Sequence, residues 1–255
     1  MLGLNNSIVS SGLSKIYENP YSISFDGTDD YINTNQTFQS PFRGSFTIAF
    51  WLRTNASGLM YLGSKATNNE LKVYDQGGKL SIYFKANSDP VTVSSDAEIL
   101  SSGTGSEWWH IAIVVTKTGT GLSDNSTVAM YKNGDLLELG TPTGALAGSN
   151  HGSFTTSDNL VIGALNEGGS ITNISAILGI DEFAIWDSAL SAGAIDSIYN
   201  AGTPNSLDEE IGKYAAQDDL QVYYTFNDGS TASDYQDSGT DGTLRGSPAF
   251  RTSAP

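Results

Sequence analysis

Short segments in which apolar and polar residues alternate recur along most of this chain, and a period-two pattern buries its apolar side as strands, not helices. Ile23 and Phe25 share one face of Tyr21–Phe25; Phe46, Ile48, Phe50 and Leu52 share one face of Phe46–Arg53. Leu71–Tyr74 and Leu80–Phe84 flank Gln76-Gly77-Gly78, and Val128–Leu137 carries Asn133-Gly134 at its tip. Such glycines supply the positive φ of a tight hairpin turn. Trp108–Val115 is apolar on both parities, as a central strand covered on two sides would be. Asn159–Gly163 and Asp181–Trp186 complete the main set. Strands so numerous and evenly spaced predict an all-β chain of two packed antiparallel sheets, a β-sandwich with one or two short helices.

The remaining segments set the organisation. Residues 1–20 read as an N-terminal arm ending at Asn19-Pro20, residues 21–203 as the sandwich, and residues 204–255 as a C-terminal segment of shifted composition. Ser191 suits the cap of a helix with Ile195, Ile198 and Tyr199 as its stripe and Gly202 as its stop. Ser206–Glu209 has capping-box spacing, which predicts a second short helix. One more alternating strand, Leu220–Phe226, precedes a Gly/Asp/Ser-rich tail.

Charge narrows the function. At a formal −16 the chain is a poor partner for nucleic acid, whose binding relies on clustered Lys and Arg. An acidic surface suits calcium, which takes carboxylate, amide and carbonyl oxygens, though it equally suits simple solubility. The absence of cysteine removes disulfides and thiolate metal sites. No apolar run reaches membrane-spanning length, and the first ten residues lack the basic-then-apolar pattern of a secretory signal.

Six motifs then appear in a recognisable order. Ser24–Tyr31 (SFDGTDDY), Ile48–Arg53 (IAFWLR), Trp108–Ala112 (WWHIA), Met130–Asp135 (MYKNGD), Ile180–Leu190 (IDEFAIWDSAL) and the Ile195–Gly202 helix resemble the laminin-G-like jelly-roll modules of the concanavalin A-like lectin/glucanase superfamily. The series is also similar to pentraxins, and it covers about residues 21–203. In such modules a segment like Val222–Asp228, followed by one like Asp237–Thr243, stands before the first strand; here it comes after the closing helix. That strand either completes the sandwich from the other end, begins a truncated repeat, or pairs with a neighbouring chain, which would make a homo-oligomer.

Catalytic patterns are missing. The superfamily's glucanases carry a Glu-x-Asp-x-x-Glu-like run, and none occurs; Asp181-Glu182 is followed by apolar residues. Only two histidines, His110 and His151, are present, with no nucleophile elbow or phosphate loop. The resemblance instead implies two alternative calcium sites. One is structural, with Asp181 clipped to Asp237 or Asp241 and carbonyls near Gly239. The other is pentraxin-like, with Asn68, Asn69 and Glu70 meeting Asn166 and Glu167. Trp51, Trp108, Trp109 and Trp186 lie among apolar strand neighbours and read as core; Tyr61, Tyr74, Tyr83 and His151 remain as surface candidates for stacking on sugars.

The expected function is therefore a non-catalytic recognition or structural module binding glycans or protein subunits. The resemblance places it on a virion exterior, as a phage decoration, tail or fibre component, or on another extracellular surface. A calcium-dependent secreted lectin is the alternative, and a degenerate glucanase a third.

Overall fold

The computed structural model describes residues 17–55, 60–65, 70–86, 89–100, 105–118, 125–144, 146, 157–235 and 240–255. The first strands are β1 (Ser22–Asp26), β2 (Tyr31–Asn33), β3 (Phe46–Arg53), β4 (Met60–Lys65), β5 (Leu71–Gln76), β6 (Lys79–Ala86) and β7 (Asp89–Ser94). Then come β8 (Trp109–Thr118), β9 (Asn125–Lys132), β10 (Asp135–Leu136), β11 (Val161–Ile162), β12 (Leu165–Glu167), β13 (Ser170–Thr172) and β14 (Ala176–Trp186). The last three are β15 (Leu220–Tyr224), β16 (Thr243–Arg245) and β17 (Ala249–Arg251). Helix α1 (Gln39–Arg43) lies between β2 and β3, and α2 (Ala192–Tyr199) follows β14.

Among the described residues the strands form an eight-stranded sheet in the order β10-β9-β8-β3-β14-β1-β17, with β15 also on β14, and a seven-stranded sheet in the order β16-β2-β11-β4-β5-β6-β7. Every strand pair is antiparallel, so the sandwich expected from the alternation is the architecture found. Ile48, Phe50 and Leu52 of β3 meet Leu71, Val73, Ile82, Phe84 and Val93 of the opposite sheet in one buried cluster. The two-sided apolar pattern of β8 also has its reason. Ile111, Ile113 and Val115 enter that core, while Ala112 and Val114 face a second cluster under α2.

A row of alanines makes the second cluster possible. Ala112, Ala49 and Ala184 pair across β8, β3 and β14, and their small side chains let Ile195 and Ile198 of α2 pack close to the sheet. Ser191 caps α2 by accepting from the Ala194 N–H at 3.2 Å. At the β9–β10 hairpin Asn133 (φ 53°) and Gly134 (φ 81°) take the left-handed conformations that a tight turn demands.

The C-terminal segment pairs in cis. β15 joins β14 (Phe183↔Tyr224), β17 joins β1 (Ile23↔Phe250), and β16 joins β2 (Leu244↔Ile32), so one segment adds strands to both sheets. The helix expected at Ser206–Glu209 is a turn instead. The Ser206 hydroxyl donates to the Asp208 carboxylate, Gly212 has φ 58°, and Ile211 and Tyr214 exchange backbone hydrogen bonds of 3.0 and 2.8 Å. Burial of Tyr214 in the outer cluster outweighs the weak capping signal. Conversely α1, a single turn, escapes periodicity and is held by contacts of Phe42 with Phe38 and Phe46.

Candidate functional site

On β5 and β6 the residues Leu71, Val73, Leu80, Ile82 and Phe84 point inwards, which turns their neighbours to the outer face. Register then assembles two rows across that face. Tyr61, Tyr74, Ser81 and Ser94 stand opposite one another on β4 to β7, and Lys72, Tyr83 and Thr92 form the adjacent row. The Tyr61 and Tyr74 rings lie 6.0 Å apart, and Lys72 Nζ stands 5.0 Å from the centre of the Tyr83 ring. The hydroxyls of Ser81 and Ser94 are hydrogen-bonded at 2.8 Å. Burial raises the pKa of Tyr74, while hydrogen bonds with Thr92 and Ser81 lower it in part. Burial, then the nearby Tyr74, raises that of Tyr83.

The hairpin β12–β13 flanks this face. Tyr61, expected at the surface, is only 7% exposed because it packs with Leu165 of β12 and Tyr74. It supports Tyr74 from the side and offers no open ring. Burial, Tyr74 and the charge of Glu167 raise its pKa in that order, which puts the exposed Glu167 at the rim. Asn166 is buried and structural: its Nδ2 donates to the Asn159 carbonyl at 2.9 Å and its Oδ1 accepts from the Gly169 N–H at 2.9 Å. Asn68, Asn69 and His151 lie outside the described residues. The structure thus brings Tyr61, Tyr74, Tyr83 and Glu167 together, with Asn166 holding the turn beside them.

A second polar centre lies on the opposite sheet, beneath the outer cluster. β14 carries a bulge between Asp181 and Ala184, where Glu182 has φ 50°, a left-handed conformation costly for a side chain of this size. Both carboxyls are buried. Asn19 Nδ2 donates to Asp181 Oδ2 at 3.0 Å, and the Glu182 N–H donates to Asp181 Oδ1 at 2.9 Å. The Tyr17 hydroxyl donates to Glu182 Oε1 at 2.6 Å, and the Tyr223 hydroxyl donates to Oε2. Asn227 Nδ2 donates to the Tyr17 oxygen at 3.1 Å.

Burial pushes Glu182 up to about 8, partly opposed by the two tyrosine hydroxyls. It also raises Asp181, with the Glu182 charge as the next cause. Asn19 Oδ1, on a side chain bonded to Asp181, and Asn227 Oδ1, on a side chain bonded to Tyr17, are buried without partners. This set of carboxylate and amide oxygens matches the chemistry of a hard cation such as calcium. Sequence reading named Asp181 as a ligand, weighed Glu182 only as part of a catalytic carboxylate run, and missed Tyr17, Asn19, Tyr223 and Asn227. The available signal was two adjacent acids in an otherwise apolar strand.

The other acidic candidates lie elsewhere. Asp241 Oδ1 accepts from the Asp234 N–H at 2.9 Å, and its carbonyl accepts from Asn35 Nδ2 at 2.8 Å, ties that fix the C-terminal segment. Asp237 and Gly239 lie outside the described residues. Among the described residues one trio of acids comes within ligand distance: Asp26, Asp29 and Asp30, with carboxylate oxygens within 4.8 Å of one another. Both Asp30 oxygens there accept backbone N–H groups, from Asp26 at 3.0 Å and Ser247 at 2.7 Å. His110, buried in β8, is held neutral, its pKa lowered to about 3 by burial.

A two-sheet antiparallel sandwich with an aromatic and hydroxyl-bearing outer face is a jelly-roll architecture. The chain belongs to the concanavalin A-like lectin/glucanases superfamily, whose laminin G family model matches residues 26–196. No curated protein sequence matches it. Solved structures that share its fold include the following three. A heptameric pentraxin from Limulus polyphemus is 16% identical, with 91% of this chain and 94% of that chain covered at a TM-score of 0.53. A candidate carbohydrate-binding protein from Bacteroides ovatus is 14% identical, with 92% and 60% covered at 0.59. A sialidase carbohydrate-binding module from Ruminococcus gnavus, bound to α2,6 sialyllactose, is 12% identical, with 70% and 97% covered at 0.50. At these identities the likeness is one of fold. No helix among the described residues is long and apolar enough to cross a membrane.

Proposed function

We propose that the chain is a glycan-binding module whose recognition surface is the outer face of the seven-stranded sheet. The observation that carries the reading is the register that sets half-buried Tyr74 and Tyr83 beside Ser94, Thr92 and Lys72, with the buried Ser81 hydroxyl fixing that of Ser94 at 2.8 Å. Sugar rings present apolar C–H faces and hydroxyl rims, and flat aromatic rings among fixed polar groups match both. Two of the fold neighbours, the Bacteroides ovatus protein and the Ruminococcus gnavus module, are described as carbohydrate-binding, which favours this ligand class. The residues on the face are suited to holding a ligand rather than transforming it. On this reading the module works at an exposed surface, of a virion or a cell, where glycans are displayed.

A glycan array tests the reading directly. Tyr74→Ala should weaken the strongest glycan by roughly tenfold, since stacking and burial of one aromatic are worth about 1.4 kcal/mol or more. Tyr61→Phe should leave it unchanged, because that ring is covered. If the wild-type chain binds nothing on the array, or if Tyr74→Ala binds as the wild type does, the reading fails.

A second reading is favoured by the Asp181–Glu182 centre. We propose that it holds a structural calcium ion, because two carboxyls are buried there and Asn19 Oδ1 and Asn227 Oδ1, on side chains bonded to Asp181 and Tyr17, are buried without partners. Calcium in excess of its dissociation constant should then raise the melting temperature by several degrees, and Asp181→Ala should abolish the rise. An unmoved melting temperature in the wild type removes the ion from this site.

A further inference from the structure

We propose that Arg53 and Arg251 form a second binding site, on the outer face of the eight-stranded sheet, for the carboxylate of an acidic sugar. The site is independent of the tyrosine face. Arg53 pairs with Gly179 across β3 and β14, and Arg251 pairs with Ser22 across β17 and β1. Because their neighbours Leu52 and Phe250 turn towards the core, both arginines lie on the outer side. Arg251 Nε donates to Ser24 Oγ at 3.1 Å, and the Trp108 ring packs directly over Gly179. Arg53 stacks over the Trp108 ring at 5.1 Å and donates from Nη2 to the Leu178 carbonyl at 3.2 Å.

Neither charge is neutralised. Among the described residues no carboxylate meets either guanidinium, and Arg53 Nε is buried with no hydrogen-bond partner. Burial and then the charge of Arg251 lower the Arg53 pKa, so the two cations stand close enough to repel. In a chain of net charge −16 with only 12 basic residues, two unneutralised arginines converging on one patch are conspicuous. An anion there would relieve the repulsion. A guanidinium fork matches a planar carboxylate through two parallel hydrogen bonds. The surrounding negative field disfavours polyanions and tolerates one carboxylate carried on a neutral body. The half-buried Trp108 ring offers that body an apolar wall.

Glucuronate and glucose, which differ by the carboxylate, are suitable probes, with inorganic sulfate as the third arm. Amide resonances of the folded full chain are followed during each titration. Glucuronate should shift Leu178, Gly179 and Ser24 saturably, and glucose should not. Arg53→Gln and Arg251→Gln should each weaken glucuronate by roughly tenfold, as loss of a charge-assisted hydrogen bond does, and Tyr74→Ala should change nothing. Arg53→Lys, which keeps the charge and the fold but loses the fork, should weaken it nearly as much. Shifts elsewhere, equal shifts with glucose, or arginine variants that bind as the wild type does would overturn the site. Sulfate binding as tightly as glucuronate would overturn the assignment to a sugar carboxylate.

Discussion

A chain ended after Pro204 is expected not to fold. The segment beyond it supplies Val222, Tyr224, Phe226 and Ala232 to the core between the sheets, and Tyr214, Leu220 and Tyr223 to the cluster under α2. Six of these are large side chains, each worth about 1.5–3 kcal/mol when buried, so their loss costs on the order of 10 kcal/mol. That matches the whole stability of an ordinary domain, about 5–15 kcal/mol. The truncation also strips β15 from β14 and β17 from β1, which exposes two edges of the eight-stranded sheet. Near-ultraviolet circular dichroism of the truncated chain should show no fixed tertiary signal, and a separately added 205–255 peptide should restore it. A truncated chain that melts cooperatively near the wild-type temperature would contradict this account.

The buried acid pair gives the second large effect, a loss of stability on going from acid to mildly alkaline pH. Glu182 titrates near 8 in the folded chain against an ordinary value of 4.5, so between these values the folded state holds a proton that the unfolded state has released. Stability is therefore greatest below about pH 4.5 as far as this group is concerned, falls as pH rises, and levels off above 8. Asp75, raised to about 6 by burial, adds a fall of the same sign that ends earlier. His110, lowered to about 3 by burial against an ordinary 6.5, adds a rise of opposite sign that is complete by about pH 7.5, so the interval from about pH 7.5 to 8.5 isolates the Asp181–Glu182 pair. Across the full rise the expected decline is on the order of 5 kcal/mol, or roughly 10–20 °C in a chain of this length. Glu182→Gln keeps the shape and removes the titration, so its melting temperature should change far less over the same range. Equal slopes for the variant and the wild type would dismiss the pair as the cause.

Bound calcium at the same centre would flatten the wild-type profile, since a divalent cation holds both carboxylates ionised. The pH profile and the calcium titration therefore report on one site through opposite responses. The Tyr17 and Asn19 hydrogen bonds also tie residues just before β1 to that centre, and as donors to carboxylate oxygens they strengthen when the acids ionise. Tyr17 and Asn19, at the end of the N-terminal arm, are thus fastened to the sandwich.

Much of the fold was legible because strand burial is written in parity. Phe46, Ile48, Phe50 and Leu52 alternate in the sequence and lie together in the core, and the two-sided apolar run of β8 does face two clusters. Glycine pairs and Asn-Gly marked the hairpin tips at residues 77–78 and 133–134 for a local steric reason. Tyr61 was misjudged because exposure depends on what crosses above a strand, here Leu165, and alternation contains no such information.

The site was legible only in its ingredients. Tyr74 and Tyr83 could be named as surface aromatics, but their alignment with Ser81, Ser94 and Thr92 depends on cross-strand register. Glu182 was weighed only as part of a catalytic carboxylate run and set aside, whereas a one-residue bulge in β14 aims it beside Asp181 in a buried centre. The sequence by itself determined that this chain builds two antiparallel sheets and which residues fill the space between them, because those outcomes follow from local periodicity and turn sterics. Only the tertiary structure decided that the last 50 or so residues close both sheets in cis, that Arg53 and Arg251 converge, and that two carboxyls share a buried centre. Those features join residues as far apart in the chain as Ser22 and Arg251, and such distant pairings are set by packing the whole chain at once.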